Sequence, residues 1–165
     1  MSRFQTSMIN RKTMNKISAV GFMAMTAVLL SGCNDNVENK TVTKYGTDKC
    51  FVDFIAGKPD AIVYVKPGRV EINGWAFDDS KHVIAQDLQI HLTGAKGEPI
   101  IAKDPVRIDR LDVANAFNNK ELTNSGFNFI LDASSLAPGT YGITLHIPEG
   151  NALFVCQSKK FVVIM

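Results

Sequence analysis

The side chains of this chain that could do chemistry are few and scattered. Three cysteines (Cys33, Cys50, Cys156) and three histidines (His82, His91, His146) are spread over 165 residues. A zinc site draws its Cys and His ligands from short spacings, and neither Cys50 nor Cys156 has a CxxC partner or a neighbouring His. His91 and His146 hold outward parity in two separate alternating stretches and His82 lies in a turn, which reads as three surface histidines rather than ligands or bases. Asp78-Asp79 could join a calcium site, but a lone acidic pair in a turn is ordinarily solvated. No GxSxG, HExxH, Walker loop or dinucleotide fingerprint is present. A carboxylate pair at hydrolase separation is an arrangement that spacing along a chain does not reveal. The pattern predicts a protein that is not an enzyme and uses no cofactor or metal.

Cys33 stands apart because of what precedes it. Arg3, Arg11, Lys12 and Lys16 come first, then the uncharged run Ile17 to Leu30, ISAVGFMAMTAVLL, then Ser31-Gly32. That run falls short of the roughly 20 apolar residues of a membrane span. It suits the apolar region of a secretory signal with a small-residue cleavage site, a retained membrane anchor being the alternative. Met14-Asn15-Lys16 could itself start such a leader. Leu30-Ser31-Gly32-Cys33 resembles the lipobox of bacterial lipoproteins, with Leu at −3, small residues at −2 and −1, and Cys at +1. In that family the thiol takes a diacylglyceryl group, the leader is cut before the cysteine, and the new amino terminus is acylated. The resemblance implies a signal peptide over 1–32 and lipidation of Cys33. Several acyl chains on one residue make a stable membrane anchor. Asn34 at +2 implies sorting to an outer membrane, with the periplasmic and surface faces both open.

Loss of the leader changes two properties of what remains. Eighteen Lys and Arg less those four leave 14 against 16 Asp and Glu, so a formal +2 becomes −2. No basic run survives, which excludes an electrostatic case for nucleic acid. With Cys33 spent on lipid, Cys50 and Cys156 are an even remainder in an exported chain, which predicts a disulfide, two buried thiols being the alternative. Asn34 to Asp48 is polar and aperiodic and reads as a tether (33–48) before a domain over 49–165.

The domain must position whatever binds, and its apolar residues alternate or cluster in short bursts between Gly, Pro and Asp. That is the pattern of short strands, and it predicts an all-β two-sheet antiparallel sandwich of seven to nine strands. Cys50, Val52 and Phe54 share one parity in the first strand; Ala61–Val65 is a second burst. In Arg69–Phe77, Val70 and Ile72 share one parity and Trp75 and Phe77 the other. Either both faces are buried past Gly74, or Gly74 is a bulge that swaps them. Gln86–Thr93 puts Leu88, Ile90 and Leu92 on one face, and Pro99–Ile108 reads as the return arm of a hairpin. A short helix is expected near 111–118, capped by Asp109 or Asp112. Phe127, Phe129 and Leu131 form the next strand. Tyr141, Ile143, Leu145 and Ile147 alternate in another, and Ser158-Lys159-Lys160 is a bulge or tight turn inside the final pair.

Three pieces in order carry a second resemblance. They are Gly74-Trp75-Ala76-Phe77-Asp78, Arg110-Leu111-Asp112-Val113-Ala114-Asn115-Ala116-Phe117, and Ser125-Gly126-Phe127 leading to Leu136-Ala137-Pro138-Gly139-Thr140-Tyr141. The series GWAxD, RxDVAxAF, SGF, LxPGxY resembles a small immunoglobulin-like β module appended to bacterial glycosyltransferases and other surface-polysaccharide proteins, over roughly Val70 to Ile147. The resemblance implies an immunoglobulin-like sandwich and nominates Trp75, Asp78, Arg110, Asp112 and Phe117 as candidate binding residues. The same residues have structural readings. Arg110 can pair with a neighbouring carboxylate, Val113 and Phe117 can pin the helix over an open end of the sandwich, and Trp75 can be core. Trp75, Tyr64 and Tyr141 are the aromatic side chains on which a glycan could stack. Two functions follow as expectations: a lipid-anchored envelope module for glycan or a surface assembly, or a small protein-binding lipoprotein such as an inhibitor, immunity or phage-exclusion factor.

Overall fold

The computed structural model describes residues 41–165; the leader 1–32, Cys33 and residues 34–40 lie outside the described residues. Short alternating stretches punctuated by turn residues give eleven strands among the described residues. They are β1 (Thr43–Gly46), β2 (Cys50–Ile55), β3 (Ile62–Val65), β4 (Arg69–Asp78), β5 (Val83–Ile84), β6 (Gln89–Gly94), β7 (Ile100–Lys103), β8 (Val106–Ile108), β9 (Gly126–Asp132), β10 (Gly139–Glu149) and β11 (Ala152–Ile164). Between β8 and β9 lie one helix, α1 (Leu111–Ala116), and a single 3-10 turn (Lys120–Leu122).

Two open sheets result. The first has the order β1-β11-β10-β6-β7, with β3 also on β11; the second has β2-β4-β9-β8, with β5 also on β4. Their facing sides are the alternating apolar positions: Val52, Val70, Ile72, Phe127, Phe129 and Leu131 from the second sheet meet Ile90, Leu92, Ile143, Leu145, Ile147 and Val162 from the first. Cys50 on β2 and Cys156 on β11 are disulfide-bonded, with Cα atoms 6.3 Å apart, so the predicted bridge joins one sheet to the other.

The fold differs from the sequence reading in five places, each for a physical reason. The second sheet is antiparallel, but the first is mixed. β1 and β3 run parallel to β11, lying end to end along the edge that β10 leaves free. Strands of two to four residues leave too little alternation to be recognised, hence eleven strands rather than seven to nine. β1 falls inside the stretch expected to be tether; its partner is more than a hundred residues away, and its one packing cue is Tyr45, whose ring stacks on Phe154 at 5.6 Å. The 99–108 arm is split: β7 pairs with β6 and β8 with β9, so the chain changes sheets at Asp104-Pro105. Proline has no N–H for the ladder and ends β7's pairing there.

Finally, Cys50, Val52 and Phe54 do not share a face. Val52 pairs with Gly74 and Phe54 with Asn73, which makes Asp53 the extra residue of a bulge. Phe54 is thereby turned outward and Ile55 inward. On β4 the alternation runs through Gly74 unbroken, so of the two readings the first holds: Val70, Ile72 and Ala76 face the main core while Trp75 and Phe77 are covered from the other side. Gly74 is required for a different reason. A Cβ there would lie 2.1 Å from the carbonyl oxygen of Phe51 and 2.7 Å from the ring of Phe127. The expected bulge near Ser158 is present: β10 and β11 shift register between Gly142 and Thr144, Lys159 has φ 58°, and the Ser158 hydroxyl donates to the Ile143 carbonyl.

Candidate functional site

Four of the five nominated residues converge on the outer face of the second sheet. β4 supplies the first pair. Trp75 and Phe77 leave the strand on the side away from the main core, and α1 with the 3-10 turn covers them through Ala114 and Leu122. Phe117, just past α1, closes the group: its ring meets Phe77 edge-on at 4.9 Å and Trp75 at 5.8 Å, while Trp75 and Phe77 stack at 5.9 Å. Trp75 is half-buried and Phe117 exposed. The short helix is thus held by an aromatic triad rather than by its own propensity, which six residues could not supply.

Helix capping departs from expectation. The N-cap is Arg110, neither Asp109 nor Asp112, and no side chain caps the first turn. Asp112 is engaged by Arg110 instead. Arg110 Nε donates to Asp112 Oδ1 at 2.9 Å and Nη2 to Asp112 Oδ2 at 2.7 Å, a two-pronged pair, while Nη1 donates to Asp53 Oδ2 at 2.6 Å. The hydrogen bonds from Arg110 hold the Asp112 carboxyl at about 2, below the ordinary carboxylate range, and the same bonds raise Arg110. Asp53 shares the outward parity of Phe51, and the bulge there turns Phe54 to the same face.

Asp53 is fixed from behind by Lys160. That lysine is only 7% exposed. Its Nζ donates to the carbonyls of Asp53 at 2.8 Å and Pro59 at 2.6 Å, so the bulge of β11 buttresses the bulge of β2.

Pairing register sets the rest of the face. Phe51 lies across from Trp75, Trp75 across from Gly126, and Gly126 across from Ile108. Gly126 leaves room for its neighbour: a Cβ there would lie 2.8 Å from Arg110 Cγ and 2.5 Å from the Ile108 carbonyl oxygen. The arginine stem therefore crosses the sheet over the space a side chain would fill. One row further on stand Phe54, Asn73 and Asn128. Phe51 is 49% and Phe54 44% exposed although both are aromatic. Beside them a shallow groove of about 440 Å³ is lined by Asp53, Phe54, Asn73, Gly74, Ile108, Arg110 and Phe127.

Comparison with protein families, curated proteins and solved structures finds no match. The reading of the site therefore rests on its geometry alone. Aromatic faces beside a charged fork suit an amphipathic ligand: the rings can take apolar C–H surface, and Arg110, Asp112 and Asn73 can exchange hydrogen bonds with hydroxyls or amides. No nucleophile in the groove is paired with a base.

Of the five nominated residues, Trp75, Arg110, Asp112 and Phe117 share this face, and Asp78 does not. It ends β4 at 2% exposure rather than standing solvated in a turn. Its Oδ1 accepts from the Ser80 amide at 2.8 Å, the Ser80 hydroxyl at 2.6 Å and the Lys81 amide at 3.3 Å. Burial works against its charged form, but the Ser80 and Lys81 donors prevail and hold the carboxyl below its ordinary range. Asp78 therefore shapes the turn into β5. Tyr141 is core, its hydroxyl donating to the Ala137 carbonyl at 2.9 Å, and exposed Tyr64 belongs to the other sheet. Among the described residues no three or more His, Cys, Asp or Glu side chains converge as metal ligands would. Sequence reading missed Phe51, Phe54 and Asp53. The two phenylalanines looked like ordinary strand residues, and Asp53 pairs with an arginine 57 positions away.

Proposed function

We propose that this domain is a non-catalytic binding module, held at the cell envelope by lipid on Cys33, whose second sheet docks envelope glycan on its outer face. One observation carries the reading. Phe54, with exposed Phe51 one row away, stands beside a groove whose polar wall is Asp53, Asn73 and Arg110, the arginine being held by Asp53 and Asp112. Exposed aromatic rings next to fixed hydrogen-bonding groups suit the alternating apolar and hydroxyl faces of a sugar ring. The likeness of GWAxD, RxDVAxAF, SGF and LxPGxY to modules of surface-polysaccharide proteins agrees with it.

We also read the sandwich as immunoglobulin-like. Strand order supports this: β2-β4-β9-β8 opposite β11-β10-β6-β7 matches ABED opposite GFC with an added C′ strand. The Tyr141 hydroxyl reaching back to Ala137 resembles the tyrosine corner of such domains. A departure is the disulfide, which here links the strands equivalent to A and G rather than B and F.

Retention of the full-length protein, in detergent, on immobilised envelope polysaccharide fractions tests the proposal. Phe51→Ala and Phe54→Ala should each weaken retention, whereas Tyr64→Ala, on the opposite sheet, should not. If no fraction retains the wild-type protein, the glycan reading is lost. The protein-binding alternative draws on exposed Val106 and Ile108 along edge strand β8. In-cell cross-linking from that edge to one specific protein would favour it. Anchoring is tested separately: Cys33→Ala should leave the protein unprocessed or release it from membranes.

A further inference from the structure

The two outer faces of the sandwich differ in charge. On that of the second sheet stand Asp53, Glu71, Asp112 and Asp132, with Arg69 and Arg110 paired among them. The six strands of the first sheet hold a single carboxylate side chain, Glu149, which ends β10 and pairs with Lys81. Their outward positions carry lysines instead. Lys44 on β1 lies beside His146, and Lys103 on β7 beside His91. The two histidines meet between them: His91 pairs with Thr144 and His146 with Gln89, and their rings stack with centroids 3.7 Å apart. Burial first, then His146 and Lys103, pushes His91 down to about 4; burial and Lys44 lower His146, so the pair is neutral at pH 7. Exposed Lys159 in the β11 bulge completes the set, and among the described residues none of the three lysines pairs with a carboxylate. Apolar side chains share the face. Ile62, Tyr64 and Phe161 are all exposed, Phe161 standing opposite Ile62 and Val163 opposite Tyr64. Gly142 puts no side chain between Phe161 and Thr93, which leaves a hollow of about 580 Å³ rimmed by Lys159, Thr93, Thr144 and Gln157.

We propose that this face docks on the anionic lipid headgroups of the membrane that holds the anchor, a docking that rests on lipidation of Cys33 and turns the glycan groove away from the bilayer. Charge and chain length choose that occupant. Lysine ammonium groups, hydroxyls and the Gln157 amide all donate to headgroup phosphate, and the hollow over Gly142 gives a phosphate room among them. Exposed Tyr, Phe and Ile suit the boundary between headgroups and acyl chains. A negative surface is drawn to the lysine face and repelled by the carboxylates of the other. A second copy of the chain would instead set lysine against lysine. Thr43, where β1 begins at the edge of the first sheet, is ten positions after Cys33. The lipidated residue therefore lies within about 35 Å of that edge however the intervening chain runs.

With Cys33 lipidated and Cys50 bridged to Cys156, an introduced cysteine is the one reactive thiol. Thr140→Cys on the outer face of the first sheet and Glu71→Cys on that of the second each take a fluorophore in the lipidated protein, reconstituted into vesicles that carry a headgroup quencher. With phosphatidylglycerol present at low salt, the Thr140 label should be quenched and the Glu71 label not. In phosphatidylcholine alone, or at high salt, neither should be. Lys44→Gln, Lys103→Gln and Lys159→Gln should each lower the docked-to-free ratio about fivefold while the protein stays with the vesicles. Flotation with neutral vesicles reads the anchor separately: a protein that stays behind refutes the lipid anchor, and the docking with it. Flotation with an unquenched Thr140 label in anionic vesicles, or with both labels quenched alike, overturns the docking alone. So does quenching that neutral vesicles reproduce or that the combined lysine changes leave intact. Self-quenching of the Thr140 label that grows with protein concentration in detergent would put a second copy on the face and overturn it too.

Discussion

Removing the Cys50–Cys156 bond should cost this domain more stability than any surface change. In the chain-entropy description a cross-link lowers the denatured chain's entropy by about 2.1 + 1.5R ln n cal/mol/K; for a separation of 106 that is about 16 cal/mol/K, or about 4.8 kcal/mol at 25 °C. The described domain spans 125 residues, which sets its unfolding entropy near the midpoint at about 0.26 kcal/mol/K. The Cys50→Ala/Cys156→Ala protein should therefore melt about 18 °C lower. Urea unfolding followed by circular dichroism measures the loss directly. A second signature is expected in the same experiment: the slope with urea should rise, because an uncross-linked denatured chain exposes more surface. Wild-type protein under strong reductant should reproduce both changes. A loss below about 2 kcal/mol with an unchanged slope would refute the reasoning, since the bridge would then not be restraining the denatured chain.

Three further outcomes follow from packing and protonation. Gly74→Ala should cost about 3 kcal/mol or more in urea unfolding, because the added carbon meets backbone of β2 that cannot move without breaking the β2–β4 register; a near-neutral result would mean β2 can shift. Lys160→Met should cost about 2–3 kcal/mol by stranding the carbonyls of Asp53 and Pro59, and should also weaken glycan retention through Asp53 if the groove depends on that buttress. The histidine pair should make stability fall in acid: with His91 lowered to about 4 from 6.5, the unfolded chain binds the proton more readily, so stability is full above pH 6.5 and declines as pH drops toward 4. Discounted for solvent screening, the decline is about 1–2 kcal/mol. A His91→Phe protein should lose most of the slope.

What could be read from the chain was set by how far apart the interacting residues lie. Parity along β9 and β10, the burial of both faces of β4 past Gly74, and the Ser158 bulge all depend on neighbours within a few positions. The disulfide followed from counting cysteines. Most of the site was harder to see. Trp75, Phe117, Arg110 and Asp112 were legible as a group because two of them flank one helix and the others carry a motif. Asp53 was not, because a one-residue bulge leaves no mark in composition, yet it turns Phe54 from core to surface and supplies the second carboxylate to Arg110. The sheet change at Pro105 and the parallel β1 and β3 depend on pairings that no local pattern records. His91 and His146 were each legible as outward residues, and only the register of β6 against β10 brings them together.

The position of β11 bears on how the protein is made. Every strand that pairs with it (β1, β3 and β10) precedes it in the chain, and two of those pairings span about a hundred residues, from Thr43 to Ala152 and from Ile62 to Phe161. Such long loops must close before their contacts return any free energy, which makes assembly slow. As the chain emerges from its N-terminus, β1 and β3 have nothing to pair with, and the second sheet has no completed partner to cover its apolar side. The domain thus commits to its fold late. The chain stays open until its last strand has been made, and its two cysteines cannot be brought together by folding before then.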